Sequence, residues 1–477
     1  MNKNKPDAAR MRRLLRPLAL LLIISLVASL LSSCIIFGKY KTYDRDTIIA
    51  NMRDMEDDDP GHEYIGDYLI DFGIGNFNYY KLSMAQASFD EYYYEQLPSA
   101  RDMAWRIAEL FLESYYDEID LEDTEATTDA LLYCYTVATG DPYAFYRNAE
   151  EYREYQKELS GDGEFVGIGV RINLNYDAGT ITVTGVLPGS GAEAAGVKEG
   201  DLIIGARGKT VADDGIDTVL EFSKGEVGER IAVKFRRGST EFTSVITLKK
   251  YADTSVFYSM QENNIGYIQV TDFNAKTTAA FKDAVDALTE AGAEGLIFDM
   301  SSNPGGLVDT AVALIDYIVP DKDKNGKSVV ITYYTIAGKE TKHYATDGHS
   351  VDLPMIVLCN EYTASAGELF TSSMRDYDDM GLLDATVMGQ TTFGKGILQS
   401  SVELCSSFDK PDGSYLTFTM SYYYPPLGVN YHKVGVVPDI ILDESADRVG
   451  AATNELLSPT ADKTPPPGST GIDALAA

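Results

Sequence analysis

A serine, a lysine and a glutamine stand close together in this chain, in contexts suited to a nucleophile and its base. Asn360 to Glu368 reads N-E-Y-T-A-S-A-G-E, with Ser365 at the start of a helical run. Thr391 to Gln399 reads T-T-F-G-K-G-I-L-Q, with Lys395 between two glycines and Gln399 four residues beyond it. Upstream, a β-type run from Leu296 to Met300 empties into S-S-N-P-G-G, which ends in the adjacent Gly305 and Gly306. Serine at its free pKa is a weak nucleophile and needs a neighbouring base. Lysine fills that part only when neutral, so burial away from carboxylates has to bring its pKa from about 10.4 toward ~7 to 8. Gln399 can accept a hydrogen bond from the amine without adding negative charge. Backbone N–H groups at the glycine turn and at the helix start, where the helix dipole is positive, can hold an oxyanion. Together these are the parts of an acyl-transfer site.

Each part taken singly also has an ordinary structural role. Ser365 with Glu368 three residues on fits a capping box. Gly305 and Gly306 after Pro304 fit a tight strand-to-helix turn, and Lys395 fits a solvated loop. Their order and surroundings favour the chemical reading, and further motifs join them: D-P-Y at Asp141 to Tyr143, F-V-G-I-G-V at Phe165 to Val170, P-G-S-G-A-E-A-A-G-V-K-E-G-D-L-I at Pro188 to Ile203, I-G-Y-I at Ile265 to Ile268, and V-G-V-V-P-D ending at Asp439. In these residues, spread over roughly 300 positions from Asp141 to Asp439, the chain resembles the carboxy-terminal processing proteases, PDZ-containing Ser-Lys serine peptidases of the tail-specific type.

The resemblance implies Ser365 as nucleophile, Lys395 as general base and Gln399 as the residue that orients the lysine. It implies an oxyanion hole from the N–H of Ala366 and of one glycine of the Gly305, Gly306 pair. Tyr362 and Thr363 stand where the family usually has Gly-Ser, Met300 replaces a common arginine, and the interval from serine to lysine is about five residues longer than usual. The extra residues are expected in a surface loop at Asp378 to Leu382, where added length costs little closure entropy.

The 477 residues leave room for several domains and a large core. A formal charge of −33 argues against binding nucleic acid or an anionic membrane through the globular part. Basic residues instead crowd the first 16 positions, ahead of an apolar run from Pro17 to Leu31 that ends in L-S-S-C. This is an export signal by charge and length. It resembles a bacterial lipobox with Cys34 as the lipidated residue. The apolar stretch also extends to Phe37, long enough to span a bilayer as an uncleaved anchor. Either way the expected location is extracytoplasmic, anchored to the bacterial cell membrane. Cys134, Cys359 and Cys405 show no metal-ligand spacing and read as thiols, and the four histidines lie in no catalytic motif. No cofactor and no metal is expected.

Five regions follow: residues 1–34, signal peptide with lipobox or anchor; 35–160, a helical N-terminal region; 161–250, a PDZ-like module; 251–445, the Ser-Lys peptidase core; and 446–477, a disordered tail. The fold class is multidomain α/β, a layered α/β peptidase core with a PDZ-like β-rich module and the helical region before it. The core alternates strands and helices: strand Ile265 to Val270, helix Thr278 to Ala291, strand Leu296 to Met300, helix Leu307 to Ile318, strand Met355 to Leu358, helix Ala364 to Met374. That order puts Gly305, Gly306 and Ser365 at the carboxyl ends of strands, where such sheets hold their sites. In the PDZ-like module, Gly167, Ile168, Gly169 and Val170 mark the loop and strand that take a peptide as an added strand and hold its carboxylate. The resemblance further implies polypeptide substrates with flexible C-termini and a homodimer formed through the helical region. The expected function is an exported, membrane-tethered serine endopeptidase cutting proteins near their C-termini. The alternatives are an inactive PDZ-type peptide-binding scaffold and a hydrolase of non-peptide esters.

Overall fold

Three runs of the C-terminal half, Gly295–Asp299, Met355–Cys359 and Ala385–Gly389, are buried at every position, the pattern of strands covered on both faces. The computed structural model describes residues 41–55, 62–175, 178–187, 189–252, 254–323, 326–334, 338–443 and 446–458. In it these runs are central to a six-stranded sheet. Its order is Val256–Met260, Ile265–Val270, Gly295–Asp299, Met355–Cys359, Ala385–Gly389 and Ile440–Ile441. The first pair is antiparallel and the other four pairings are parallel. Helices Thr277–Glu290, Val308–Ile318 and Ala366–Asp379 cover one face. Phe281, Phe298 and Phe370 meet there with ring centroids 5.5 to 6.1 Å apart. Each such side chain contributes about 1.5 to 3 kcal/mol by burial.

The opposite face is covered by helix Arg448–Leu457, whose Ala452 is fully buried against Ile297, Ile356 and Leu358. This corrects the expectation of a disordered tail from residue 446. The run R-V-G-A-A-T-N-E-L-L gains its helix by covering the sheet, which the composition of the following T-P-P-P-G-S stretch conceals. The remainder of that tail lies outside the described residues, as does Cys34 with the whole signal region.

Register aligns the carboxyl ends of three adjacent parallel strands, pairing Asp299 with Leu358 and Cys359 with Gly389. The loops 300–306, 360–365 and 390–396 therefore leave the sheet side by side. A second, five-stranded sheet holds Phe145–Arg147, Val329–Tyr334, Glu340–Tyr344 and the long hairpin Ile397–Ser407 and Lys410–Tyr424. The PDZ-like module forms its own sheet, in which Val170–Asn175 is an edge strand paired only with Thr180–Val186 among the described strands. Helix Ile216–Phe222 packs Ile216 and Val219 into that module's core.

The described residues divide into two compact units, one drawn from residues 41–88, 97–142 and 404–411 and the other from the rest. The first is helical, with Leu69, Phe72, Ile107, Phe111, Leu131 and Tyr135 fully buried. The helical region expected to run to residue 160 thus ends at Pro142. Strand Phe145–Arg147 and helix Ala149–Ser160 go with the second unit, because the strand pairs with Tyr415 to Thr417. The extra residues expected in a surface loop at Asp378 to Leu382 form the end of helix Ala366–Asp379 and an exposed turn at Gly381. Cys134, Cys359 and Cys405 take part in no disulfide among the described residues.

One buried acid makes the core pH-sensitive. Asp376 accepts the Leu427 N–H at 2.9 Å, and burial pushes its pKa up to about 6. Between its ordinary value near 3.8 and about 6 the native state holds more protons than the unfolded chain, so stability falls as pH rises through that window. Two pH units correspond to about 3 kcal/mol at most. Asp376→Asn keeps the acceptor and removes the charge. Its unfolding midpoint should exceed the wild-type value at pH 8 and match it near pH 4, as thermal melts at both pH values would show.

Candidate active site

Ser365 precedes helix Ala366–Asp379 with φ +54° and ψ −116°, a conformation that costs a non-glycine residue about 1 to 3 kcal/mol and persists only where its surroundings impose it. The surroundings do so from both sides. The Ser365 N–H donates to Glu368 Oε2 at 2.9 Å, while the Ser365 carbonyl accepts from the Leu369 N–H at 2.9 Å, from Tyr423 Oη at 2.9 Å and from Tyr431 Oη at 3.3 Å.

Glu368 is fully buried and both its oxygens are used twice. Oε1 accepts from Thr392 Oγ1 at 2.5 Å and from the Gly394 N–H at 2.6 Å. Oε2 accepts from the Lys395 N–H at 2.7 Å as well as from Ser365. One carboxylate therefore ties the backbone of the serine to the backbone of the lysine. Burial raises its pKa above the usual carboxylate range against these four hydrogen bonds, which favour the ionised form. On the carbonyl side the single Tyr423 hydroxyl proton lies within reach of both Ser365 O and Lys395 O, the latter at 3.1 Å.

Lys395 lies in the extended loop before strand Ile397–Ser407, on which Gln399 sits. Its Nζ donates to Gln399 Oε1 at 2.7 Å and lies over the Tyr143 ring, 4.9 Å from the centroid. Gln399 Nε2 donates in turn to the Tyr143 carbonyl at 2.6 Å. Ser365, Lys395 and Gln399 are all part-exposed.

The glycine turn lies against the serine. A Cβ on Gly305, whose φ is +104°, would come within 2.7 Å of Ser365 Cβ and 3.0 Å of the Ala366 N, so the approach requires glycine. The Gly305 N–H, however, donates to Asn303 Oδ1 at 2.8 Å. Gly306 bridges Phe273 through the neighbouring carbonyl and N–H, Phe273 N to Gly305 O and Leu307 N to Phe273 O, leaving its own N–H out of that pairing. Asn303 is fully buried and also holds Val270 O through Nδ2 and the Ala364 N–H through its carbonyl.

The two unusual residues before Ser365 are accommodated. Thr363 Oγ1 donates to Met300 O at 2.8 Å, and the Tyr362 N–H donates to Asn360 Oδ1 at 3.1 Å. Four contributors were not marked out by sequence pattern: Glu368 beyond its capping role, Asn303, Tyr423 and Tyr431. A buried acid one turn into a helix beside a serine was the available signal for Glu368. The tyrosines gave none, because their role depends on where the hairpin returns.

In the PDZ-like module, Gly167 ends strand Glu164–Gly167, Val170 starts the edge strand, and Ile168 is buried in the module's core. Ile168 O accepts the Ala192 N–H at 2.9 Å and Gly169 O the Leu187 N–H at 3.0 Å, which fixes the loop. Gly169 has φ +86°, and a Cβ there would collide with Ser190 Cβ. The module and the core touch through Glu199, which pairs with Arg448 at 2.6 Å and accepts from Asn360 Nδ2 at 3.3 Å.

Residues 264–442 match the model of peptidase family S41, and residues 159–235 match that of the PDZ domain. The carboxy-terminal processing protease CtpA of Bacillus subtilis strain 168 is 31% identical over 341 residues, covering 71% of this chain and 67% of that protein. A CtpA-like serine protease of Staphylococcus aureus strain N315 is 33% identical over 307 residues, 64% of this chain, and the match spans 57% of the staphylococcal protein's length. In fold the chain is similar to the photosystem II D1 C-terminal processing protease, with a TM-score of 0.54 at 24% identity, covering 81% of this chain and 98% of that one.

Proposed function

Because the chain belongs to the carboxy-terminal processing proteases of peptidase family S41, we propose that it is a serine endopeptidase that cuts exported polypeptides near their C-termini through an acyl-enzyme on Ser365. The observation that carries the reading is the shared clamp: Glu368 binds the backbone N–H of both Ser365 and Lys395, fixing nucleophile and base relative to one another before any substrate arrives.

In this reading Ser365 Oγ attacks the scissile carbonyl carbon while its proton passes to neutral Lys395 Nζ. The oxyanion is held by the N–H groups of Gly306 and Ala366. Collapse breaks the C–N bond, and Nζ returns the proton to the leaving amine. Water then attacks the ester with Nζ again as base. Gln399 keeps an acceptor on the amine without a charge that would hold it protonated.

The edge strand Val170–Asn175 is open to an added peptide strand, and the Gly167 to Gly169 loop takes the substrate's terminal carboxylate. Amidating a peptide substrate removes that charge. Cleavage followed by mass spectrometry should slow at least several-fold, while hydrolysis of a small activated ester is unchanged. Equal rates for amide and free acid would remove the module from substrate capture.

The N-terminal region tethers the enzyme outside the bacterial cell membrane, through lipidated Cys34 or through an uncleaved apolar anchor. Fatty-acid labelling that is lost in Cys34→Ala identifies the lipid, and a wild-type protein that takes up no label leaves the anchor. No helix among the described residues is long and apolar enough to cross a membrane.

A further inference from the structure

Tyr143 touches both side chains between which the proton must be held. Its carbonyl accepts the Gln399 Nε2 hydrogen bond at 2.6 Å, and this contact decides the orientation of the amide. With the NH2 group directed at a main-chain carbonyl, the amide oxygen faces the other way, and it is that oxygen which Lys395 Nζ reaches at 2.7 Å. A flipped amide would set NH2 against the amine and oxygen against oxygen. The backbone at residue 143 therefore selects the one orientation in which the base has an acceptor.

The ring supplies a second, different interaction. Lys395 Nζ lies over it, 4.9 Å from its centroid, within the range at which a π face attracts an ammonium. A neutral amine gains little from such a face. The attraction grows as Nζ receives the serine proton, so it favours the transition state over the resting enzyme.

The two ionisable side chains bonded to the Lys395 backbone, Glu368 and Tyr423, are held by further partners. Glu368 accepts from backbone N–H groups and the Thr392 hydroxyl. Tyr423 donates to Lys395 O and lies against Tyr431. His432 lies beside Tyr143, its ring centroid 6.0 Å from that of the tyrosine.

We infer that Tyr143 is a positioning residue for the base: its carbonyl sets the Gln399 amide, and its ring stabilises the Lys395 ammonium formed during acylation. The inference rests on the Ser365 and Lys395 roles proposed above.

The test is the pH dependence of Ser365 labelling by a fluorophosphonate on the full chain. In that step the Oγ–P bond forms, fluoride leaves and Nζ takes the hydroxyl proton, so no peptide substrate is needed. Tyr143→Leu keeps the main-chain carbonyl and an apolar cover but lacks the π face. Its acid limb should move to lower pH by about 0.4 to 1.5 units, with labelling on the plateau slower by roughly 2- to 30-fold. Tyr143→Phe keeps the face and should leave the limb where it is. Tyr143→Trp, with a stronger face, should move it to higher pH, and it serves as the second variant should the leucine protein not fold.

An unmoved limb in the leucine variant, or a phenylalanine variant shifted as far as the leucine one, overturns the role of Tyr143. If Lys395→Ala is labelled as fast as wild type, the base assignment itself fails, and the inference fails with it. Normal dependence on Lys395 with unmoved Tyr143 variants overturns the inference alone.

Discussion

Ser365→Ala and Lys395→Ala should each lower peptide cleavage by at least ~10³-fold, and the double variant should be no slower than either single one, because nucleophile and base act as a unit. Both side chains are part-exposed, and neither closes the core. Ser365→Ala leaves the strained backbone in place, since alanine at φ +54° is as disfavoured as serine. Lys395→Ala gives up the hydrogen bond to Gln399, with a net contribution of about 1 kcal/mol, and the contact with the Tyr143 ring. Folding should therefore survive, which urea titration can verify. Ser365→Gly adds a reading of the strain itself. Glycine adopts a positive φ freely but loses more chain entropy on folding, so the glycine variant should be more stable than the alanine variant by about 1 kcal/mol. More than a few per cent of wild-type cleavage in Ser365→Ala or Lys395→Ala would end the dyad assignment. Equal stability of the alanine and glycine variants would mean that the backbone at this residue stores no strain.

The sequence shows the parts of this site better than it shows what holds them. Helices and strands of the sheet come within two residues of expectation, except that helix Ala366–Asp379 runs five residues past the expected Met374, because their signals are local: Ile265–Val270 alternates and is followed by a polar turn, and Met355–Cys359 is a short apolar run between turns. The placing of Ser365 and the glycine turn at strand ends follows from the same alternation. The function of Glu368 is different. Three residues from Ser365 it reads as a cap, and that half is present. Its three other donors come from Thr392, Gly394 and Lys395, 24 to 27 positions away, and no local pattern encodes their return. Tyr423 and Tyr431 are two more aromatics in a tyrosine-rich chain until the long hairpin brings them under the Ser365 carbonyl. The helix Arg448–Leu457 was masked for the opposite reason, since its neighbours are coil-forming while its own stability comes from the sheet face it covers.

Glu368→Ala should be more damaging than its distance from the bond-making atoms suggests. The substitution leaves four donors without their acceptor: the N–H groups of Ser365, Gly394 and Lys395 and the Thr392 hydroxyl. An unsatisfied buried donor costs about 1 to 3 kcal/mol, and water entering the vacated polar space recovers a share. A loss of about 3 to 5 kcal/mol in stability follows, at the upper end of single-residue effects. Activity should fall at least ~100-fold in the fraction that stays folded, because the loop carrying Lys395 is no longer tied to the helix carrying Ser365, and a displacement near 1 Å is enough for such a loss. Glu368→Gln separates charge from geometry. Its NH2 group can face Thr392, whose hydroxyl oxygen already accepts the Val436 N–H at 2.7 Å and has a second lone pair to offer, leaving the amide oxygen for the N–H groups of Ser365 and Lys395. Gln should accordingly retain much more activity than Ala, with the Gly394 N–H and the Thr392 hydroxyl proton the two donors that lose this acceptor. Cleavage rates measured beside urea unfolding curves decide the matter. If Glu368→Ala is destabilised but cuts at more than a tenth of the wild-type rate per folded molecule, the carboxylate supports the fold without setting the distance between nucleophile and base. If Gln is as slow as Ala, the negative charge is required, and a clamp made of hydrogen bonds alone is the wrong description.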